Sequence, residues 1–200
     1  MKTSSARIVV GVIWLLTAAT GICVLLSYEN TAGHNSLVPQ RWPAEARITG
    51  PHNRYMLVMF AHPKCPCTRA SIDELNRLLT HCEGRVAALV LFTHPSSMPS
   101  DWTKGSSWNC AAAIPGVSVQ EDFDGNEARR FGAETSGFTV LYGPDGRLLF
   151  AGGLTVGRGH AGDSLGARAI AMLVAGTSAE SRQAPVYGCR LLDRCDGSVN

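Results

Sequence analysis

The stretch YMLVMFAHPKCPCTRASIDEL, residues 55 to 75, changes its periodicity in the middle, and that change decides the fold. Tyr55 to Ala61 is a continuous apolar run of strand length, the pattern of a strand buried on both faces. From Pro66 to about Cys82 the apolar positions Ala70, Ile72, Leu75, Leu78 and Leu79 recur at steps of three and four, with Arg69, Asp73, Glu74 and Arg77 mostly on the other side. A helix therefore follows the strand, and the junction between them holds two cysteines around one proline. Gly84 fits as the stop of that helix, and Val86 to Thr93 (VAALVLFT) reads as a second buried strand.

Further along, the spacing predicts a short helix over Ser106–Ala113, a strand over Val117–Glu121 and a short helix over Asn126–Phe131. Phe138–Tyr142 and Leu148–Ala151 flank GPDGR, a turn sequence, and read as a hairpin. A last helix spans Leu165–Val174 and ends at Gly176. This order implies an α/β three-layer sandwich whose central sheet mixes parallel strands with an antiparallel hairpin.

The chain has 200 residues, 45% hydrophobic and 17% charged, as an ordered globular protein does. A net charge of +2 with scattered Lys and Arg lacks the basic stripe of a nucleic-acid binder. Ile8 to Ser27 carries no charge and matches the ~20 apolar residues that span a bilayer. The run is longer than the apolar core of a cleaved signal, about 7–15 residues, and no A-x-A site closes it. Cys23 follows a bulky Ile22 and is not a lipid-attachment cysteine. Lys2 and Arg7 precede the span, so the N-terminus (1–7) is expected in the cytoplasm. The remaining expectations are an anchor over 8–28, a periplasmic tether over 29–50, a globular domain over 51–176 and a cysteine-containing tail over 177–200. The location that follows is a single-pass bacterial inner-membrane protein with its C-terminal domain in the periplasm.

Export leaves six cysteines outside the span: Cys65, Cys67, Cys82, Cys110, Cys189 and Cys195. In an oxidising compartment such a set favours disulfides. If Cys65 is the helix N-cap, Pro66 falls at the first helical position, where its missing N–H costs nothing. Free backbone N–H groups then face the sulfur. The helix N-terminus and Lys64 both favour the thiolate, the attacking form in disulfide exchange. Cys67 is close enough to resolve a mixed disulfide, and the small ring of a one-residue spacer implies an easily reduced bond. Two other readings stand beside this one. The cysteines could be structural staples, bonded for example to Cys189 or Cys195. They could also form a copper site in which Cys65 and Cys67 are joined by His62 or His94. His62 either orients Cys65 or covers the strand end. Cys82 and Cys110 are expected to be buried or paired, and Cys189 to bond Cys195, although a mobile tail would let Cys189 resolve Cys65 instead. Trp102 and Trp108 mark an inserted loop.

The element order with a cysteine motif between the first buried strand and its helix resembles the thioredoxin superfamily. Cys65 stands five residues after Phe60, as that family's nucleophile does, and FGAETSGFTVLYGPDGRLLFAGG is similar to the family's segment leading into its hairpin. The resemblance covers roughly residues 45 to 176; the anchored layout is similar to bacterial TlpA-like proteins, and HPKCPCTRAS and the later RGHAGD are similar to proteins labelled RedB. It implies a thioredoxin-like fold and a thiol–disulfide oxidoreductase acting on protein thiols or disulfides, with a redox recycling partner and no cofactor. The chain departs from the family in having CxC for CxxC and in lacking a proline near Gly137. In such a topology the loop TVGRGHAGD, residues 155 to 163, lies near CPC, where Arg158 and His160 would serve the thiolate; otherwise it is a glycine-rich loop capped by Asp163. Peroxide-reducing relatives share the fold, but they place a hydroxyl residue where His62 stands.

Overall fold

The computed structural model describes residues 2–192, which form two compact units divided at Thr31/Ala32. The first is helix α1 (Lys2–Asn30). Its segment Arg7–Asn30, 24 residues long, reaches about 36 Å at the helical rise, against the ~30 Å of a bilayer core. The hydroxyls of Thr17 and Thr20 donate back to the carbonyls of Ile13 and Leu16, so neither is left unpaired on an apolar helix.

The second unit is a sandwich around a five-stranded sheet of order β3-β2-β1-β4-β5. The strands are β1 (Tyr55–Ala61), β2 (Val86–His94), β3 (Val117–Phe123), β4 (Phe138–Tyr142) and β5 (Leu148–Gly152). β1, β2 and β3 run parallel, with Phe60 opposite Leu91; β4 runs antiparallel to β1, and β5 to β4. The helices are α2 (Pro66–His81), α3 (Ser106–Ala112), α4 (Asn126–Arg130) and α5 (Leu165–Val174). This is the expected thioredoxin-like mixed sheet.

Alternation along the central strand divides the core in two. Leu57, Met59 and Ala61 pack with Ile72, Leu75 and Leu78 of α2 and Ile170 and Val174 of α5. Met56, Val58 and Phe60 pack on the opposite side with Ala128 of α4, Phe131 and Tyr142. That is why β1 reads as an unbroken apolar run rather than an alternating one.

Residues 29–50 were expected to be a tether, but much of that segment lies against the second core. The Gly33 N–H donates to Val186 O (2.7 Å), Trp42 N–H to Gly146 O (2.8 Å) and Leu148 N–H to Gln40 O (2.9 Å). Trp42 sets its ring edge-on against Phe131 and Tyr142, at 5.1 and 5.2 Å between centroids. The apolar anchors Val38, Trp42 and Ile48 act singly, which leaves no periodicity to read in a proline-containing segment. The Tyr142 hydroxyl donates to Pro39 O at 2.9 Å. Tyr142→Phe is therefore expected to cost about 1 kcal/mol in a urea titration, because a buried hydrogen bond is lost with little change in packing.

Part of the expected tail, residues 182–191, is also laid down on the domain. Ala151 N–H donates to Arg182 O (3.0 Å), Ser136 N–H to Cys189 O (2.8 Å) and Leu191 N–H to Glu134 O (2.9 Å), with an antiparallel bridge between Thr135 and Arg190. The glycines after β5 allow this approach: a Cβ at Gly153 would meet Pro185 O at 2.5 Å.

Candidate active site

β1 ends at Ala61, and the loop to α2 is tied by its own main chain. The Cys65 N–H donates to His62 O (3.1 Å), closing a turn, and the Lys64 N–H donates to His62 Nδ1 (3.2 Å). The Thr68 hydroxyl also donates to His62 O (2.9 Å), and its oxygen lies 2.9 Å from Ser136 Oγ, which accepts from the His62 N–H. His62 thus fixes the loop that presents Cys65, and its ring stands edge-on to Trp102 at 5.5 Å.

Cys65 is the N-cap of α2, in extended geometry (φ −82°, ψ 123°), with Pro66 starting the helix. It is 4% exposed. Its Sγ lies 2.8 Å from Cys189 Sγ and accepts the Cys189 N–H at 3.4 Å. Burial pushes the Cys65 thiol up, but hydrogen bonds from the Cys189 side chain and N–H, and from the N–H groups of Cys67 and Thr68, outweigh it and hold the thiol below its ordinary value. With these main-chain donors already on Cys65, the proton between the two sulfurs belongs to Cys189. Burial, the bond to Cys65 and the charges of Cys65 and Cys67 push Cys189 up to about 12, with Arg158 opposing. Burial, the Cys65 charge and a side-chain hydrogen bond to Cys65 likewise raise Cys67, against Arg158 and the Gly159 N–H.

Of the three, Cys65 is therefore the first to ionise as pH rises. Because Cys65 is lowered, its thiolate should persist as pH falls below the ordinary thiol range and disappear only at its own depressed value. Cys189→Ala removes a donor at similar bulk, so the midpoint of Cys65 alkylation against pH, followed by mass spectrometry, is expected to move upward.

The loop 155–163 comes to the same edge of the sheet. The Gly162 N–H donates to Glu74 Oε1 (2.7 Å), a buried carboxylate on α2 that also accepts from Arg77 (2.8 Å). Half-buried Arg158 donates from its guanidinium to Gly188 O at 2.5 Å and stands beside Cys67 and Cys189. His160 is exposed, its N–H closing a turn onto Gly157 O. The cap of α5 is Ser164, whose hydroxyl accepts the Ala167 N–H (3.1 Å), rather than Asp163. Serine reaches the third helical N–H from the residue that directly precedes Leu165.

Other expected residues lie elsewhere. Lys64 is exposed, with its ammonium 5.9 Å from the Trp102 ring centroid, so main-chain and thiol donors rather than Lys64 carry the lowering of Cys65. His94 is buried, stacked on Phe123 at 5.0 Å with Nδ1 3.3 Å from Glu121 Oε1. The alternative ligand set Cys65, Cys67, His62 and His94 is therefore not assembled. Among the described residues no group of three His, Cys, Asp or Glu is arranged to hold a metal ion. Cys82 is buried at the end of α2, where burial raises its thiol; Cys110 is half-buried, and both are free thiols. Cys195 lies outside the described residues, and with it the expected Cys189–Cys195 bond; the sulfur found against Cys189 is that of Cys65. Sequence reading overlooked Thr68, Ser136 and Gly188. Of these only Gly188, directly before a cysteine, carried a visible signal.

No protein-family model and no curated protein matches the chain in sequence. Solved structures match it in shape. A hypothetical protein from Sinorhizobium meliloti aligns over 80% of this chain and 93% of its own, at 18% identity and a TM-score of 0.58. An uncharacterized conserved protein from Geobacillus kaustophilus aligns over 84% and 94%, at 16% identity and a TM-score of 0.59. The exposed lipoprotein thioredoxin of Streptococcus pneumoniae aligns over 62% and 85%, at 13% identity and a TM-score of 0.45. At these identities the likeness is one of fold alone; the thioredoxin-like character of this fold rests on its own sheet order, β3-β2-β1-β4-β5, with α2 following β1.

Proposed function

We propose that this protein is a membrane-anchored thiol–disulfide oxidoreductase whose redox domain lies outside the cytoplasm, in the periplasm, with Cys65 as its nucleophile. The observation that carries this reading is the environment of Cys65: a buried N-cap sulfur that receives main-chain N–H groups and has a second thiol 2.8 Å away. A thiolate held at a helix start is what attack on a disulfide requires, and a neighbouring thiol lets the resulting mixed disulfide be released. The second thiol is drawn from the two that flank Cys65, namely Cys67 of the CPC motif and Cys189. Arg158 supplies positive charge to both. The partners of this reading are disulfide-bonded or thiol-bearing proteins and a redox protein that recycles the pair. Its location rests on the apolar length of α1 and on Lys2 and Arg7 preceding the span.

The test is exchange with glutathione disulfide by the full-length protein in detergent. A glutathione adduct should form on Cys65 and then be released. Failure of Cys65 to take up glutathione in the wild type and in both Cys67→Ser and Cys189→Ser would overturn the assignment.

A further inference from the structure

The segment Val186–Leu191 is built into the domain. Val186 and Leu191 are buried, Val186 O accepts from Gly33, and the main chain around Cys189 pairs with residues 134–136. Gly188 fits only because it has no side chain: a Cβ there would meet Ser136 O at 2.0 Å. Arg158 holds the Gly188 carbonyl from the other side. These contacts fix Cys189 Sγ 2.8 Å from Cys65 Sγ, within an ångström of the ~2.05 Å of a disulfide bond. Cys67 also meets Cys65 through a side-chain hydrogen bond, but it is held there only by the turn that both cysteines share. It stands two residues from Cys65, so a bond between them closes a small, strained ring. A Cys65–Cys67 bond would have to distort the turn that the Thr68 N–H closes onto Cys65 O.

We infer that Cys189, delivered by the docked tail, is the thiol that resolves mixed disulfides on Cys65, with Gly188 and Arg158 as its positioning residues. The inference rests on the reading of Cys65 as nucleophile. In the first step the Cys65 thiolate attacks a substrate disulfide R–S–S–R′. A Cys65–S–R bond forms, the S–S bond breaks, and R′–S⁻ leaves to take a proton from solvent. In the second, Cys189 gives its proton to solvent and attacks the Cys65 sulfur; the Cys65–Cys189 bond forms, the Cys65–S–R bond breaks, and R–S⁻ leaves to take a proton from solvent. Two electrons pass from the two cysteines to the substrate disulfide, and the reverse sequence oxidises a dithiol protein. Charge orders the steps. While Cys65 is a thiolate it keeps the proton on Cys189; once Cys65 is in a mixed disulfide that charge is gone and the Arg158 cation remains. Because Cys65 is buried with Cys189 against it, the first step requires the tail to lift and the second requires it to return.

The full-length protein in detergent, reacted with glutathione disulfide, quenched with acid and mapped by mass spectrometry, separates the steps. The wild type and Cys67→Ser are expected to proceed to a Cys65–Cys189 bond, whereas Cys189→Ser accumulates the glutathione adduct on Cys65. Gly188→Ala keeps every thiol but displaces the tail. It should form the adduct faster and release glutathione more slowly, on the order of 10²-fold for a shift near 1 Å. Arg158→Ala should slow the release step, with partial rescue in Arg158→Lys. A wild-type bond between Cys65 and Cys67, or between Cys189 and Cys195, would overturn the inference and leave the oxidoreductase reading intact. So would adduct accumulation in Cys67→Ser but not in Cys189→Ser. Absence of the Cys65 adduct in every variant, Gly188→Ala included, would remove both.

Discussion

Replacing Cys65 by serine is expected to take exchange with a protein disulfide, measured as the reduction of insulin, down to the uncatalysed background. A serine oxygen forms no disulfide and is not an anion near neutral pH, so the variant has no lowered thiol at the N-cap to attack sulfur. The neighbouring thiols do not substitute for it. Burial is the largest influence on both Cys67 and Cys189, and it raises each of them whether or not Cys65 carries a charge. Fold and stability should be little altered, since serine is slightly smaller than cysteine and Cys65 makes its turn through its main chain. Retention of a measurable fraction of the wild-type rate would move the nucleophile to Cys67 or Cys189.

The largest expected loss of stability comes from Phe60→Ala. Phe60 is 1% exposed on the central strand, with ring centroids 5.6 Å from Phe131 and 6.4 Å from Phe138. Truncation removes the aromatic transfer free energy and leaves a cavity between strand and helix layer, about 3–5 kcal/mol in all. Against a total stability of about 5–15 kcal/mol this is a large fraction. It should lower the thermal midpoint by roughly 10 °C. The site should suffer as well, because Phe60 O accepts the Gly137 N–H at 2.7 Å and so holds the segment against which the tail pairs. A loss below about 1 kcal/mol would mean that Trp42 and Phe131 collapse into the space.

What the sequence revealed of the fold follows from where periodicity is strong. β1 and α5 begin and end where their patterns place them, Tyr55–Ala61 and Leu165–Val174. β3 runs on to Phe123, past the expected Glu121, because the parallel register with β2 continues to His94 opposite Phe123. That pairing is non-local, and alternation within β3 does not report it. The site divides in the same way. Cys65 at a helix start could be read from Pro66 and from the change of period, and the position of Arg158 from the direction of the hairpin. The contact of Cys65 with Cys189 spans 124 residues and depends on main-chain pairing of an aperiodic tail, which leaves no trace in side-chain spacing. Gly188 was its one visible mark, and the meaning of that glycine emerges only once Ser136 O is seen against it.

The tail meets the sheet in two separate places, and their separation bears on solubility. Residues 182–184 lie along the outer edge of β5 through Ala151, whereas the segment around Cys189 reaches residues 134–136, with Pro185 between the two contacts. An uncovered strand edge offers unpaired N–H and C=O groups to any passing chain and is a starting point for aggregation. If Cys189 lifts from Cys65 as proposed while residues 182–184 stay paired, turnover does not bare that edge. In the proposed cycle the thiol site then opens without offering another copy a strand to join.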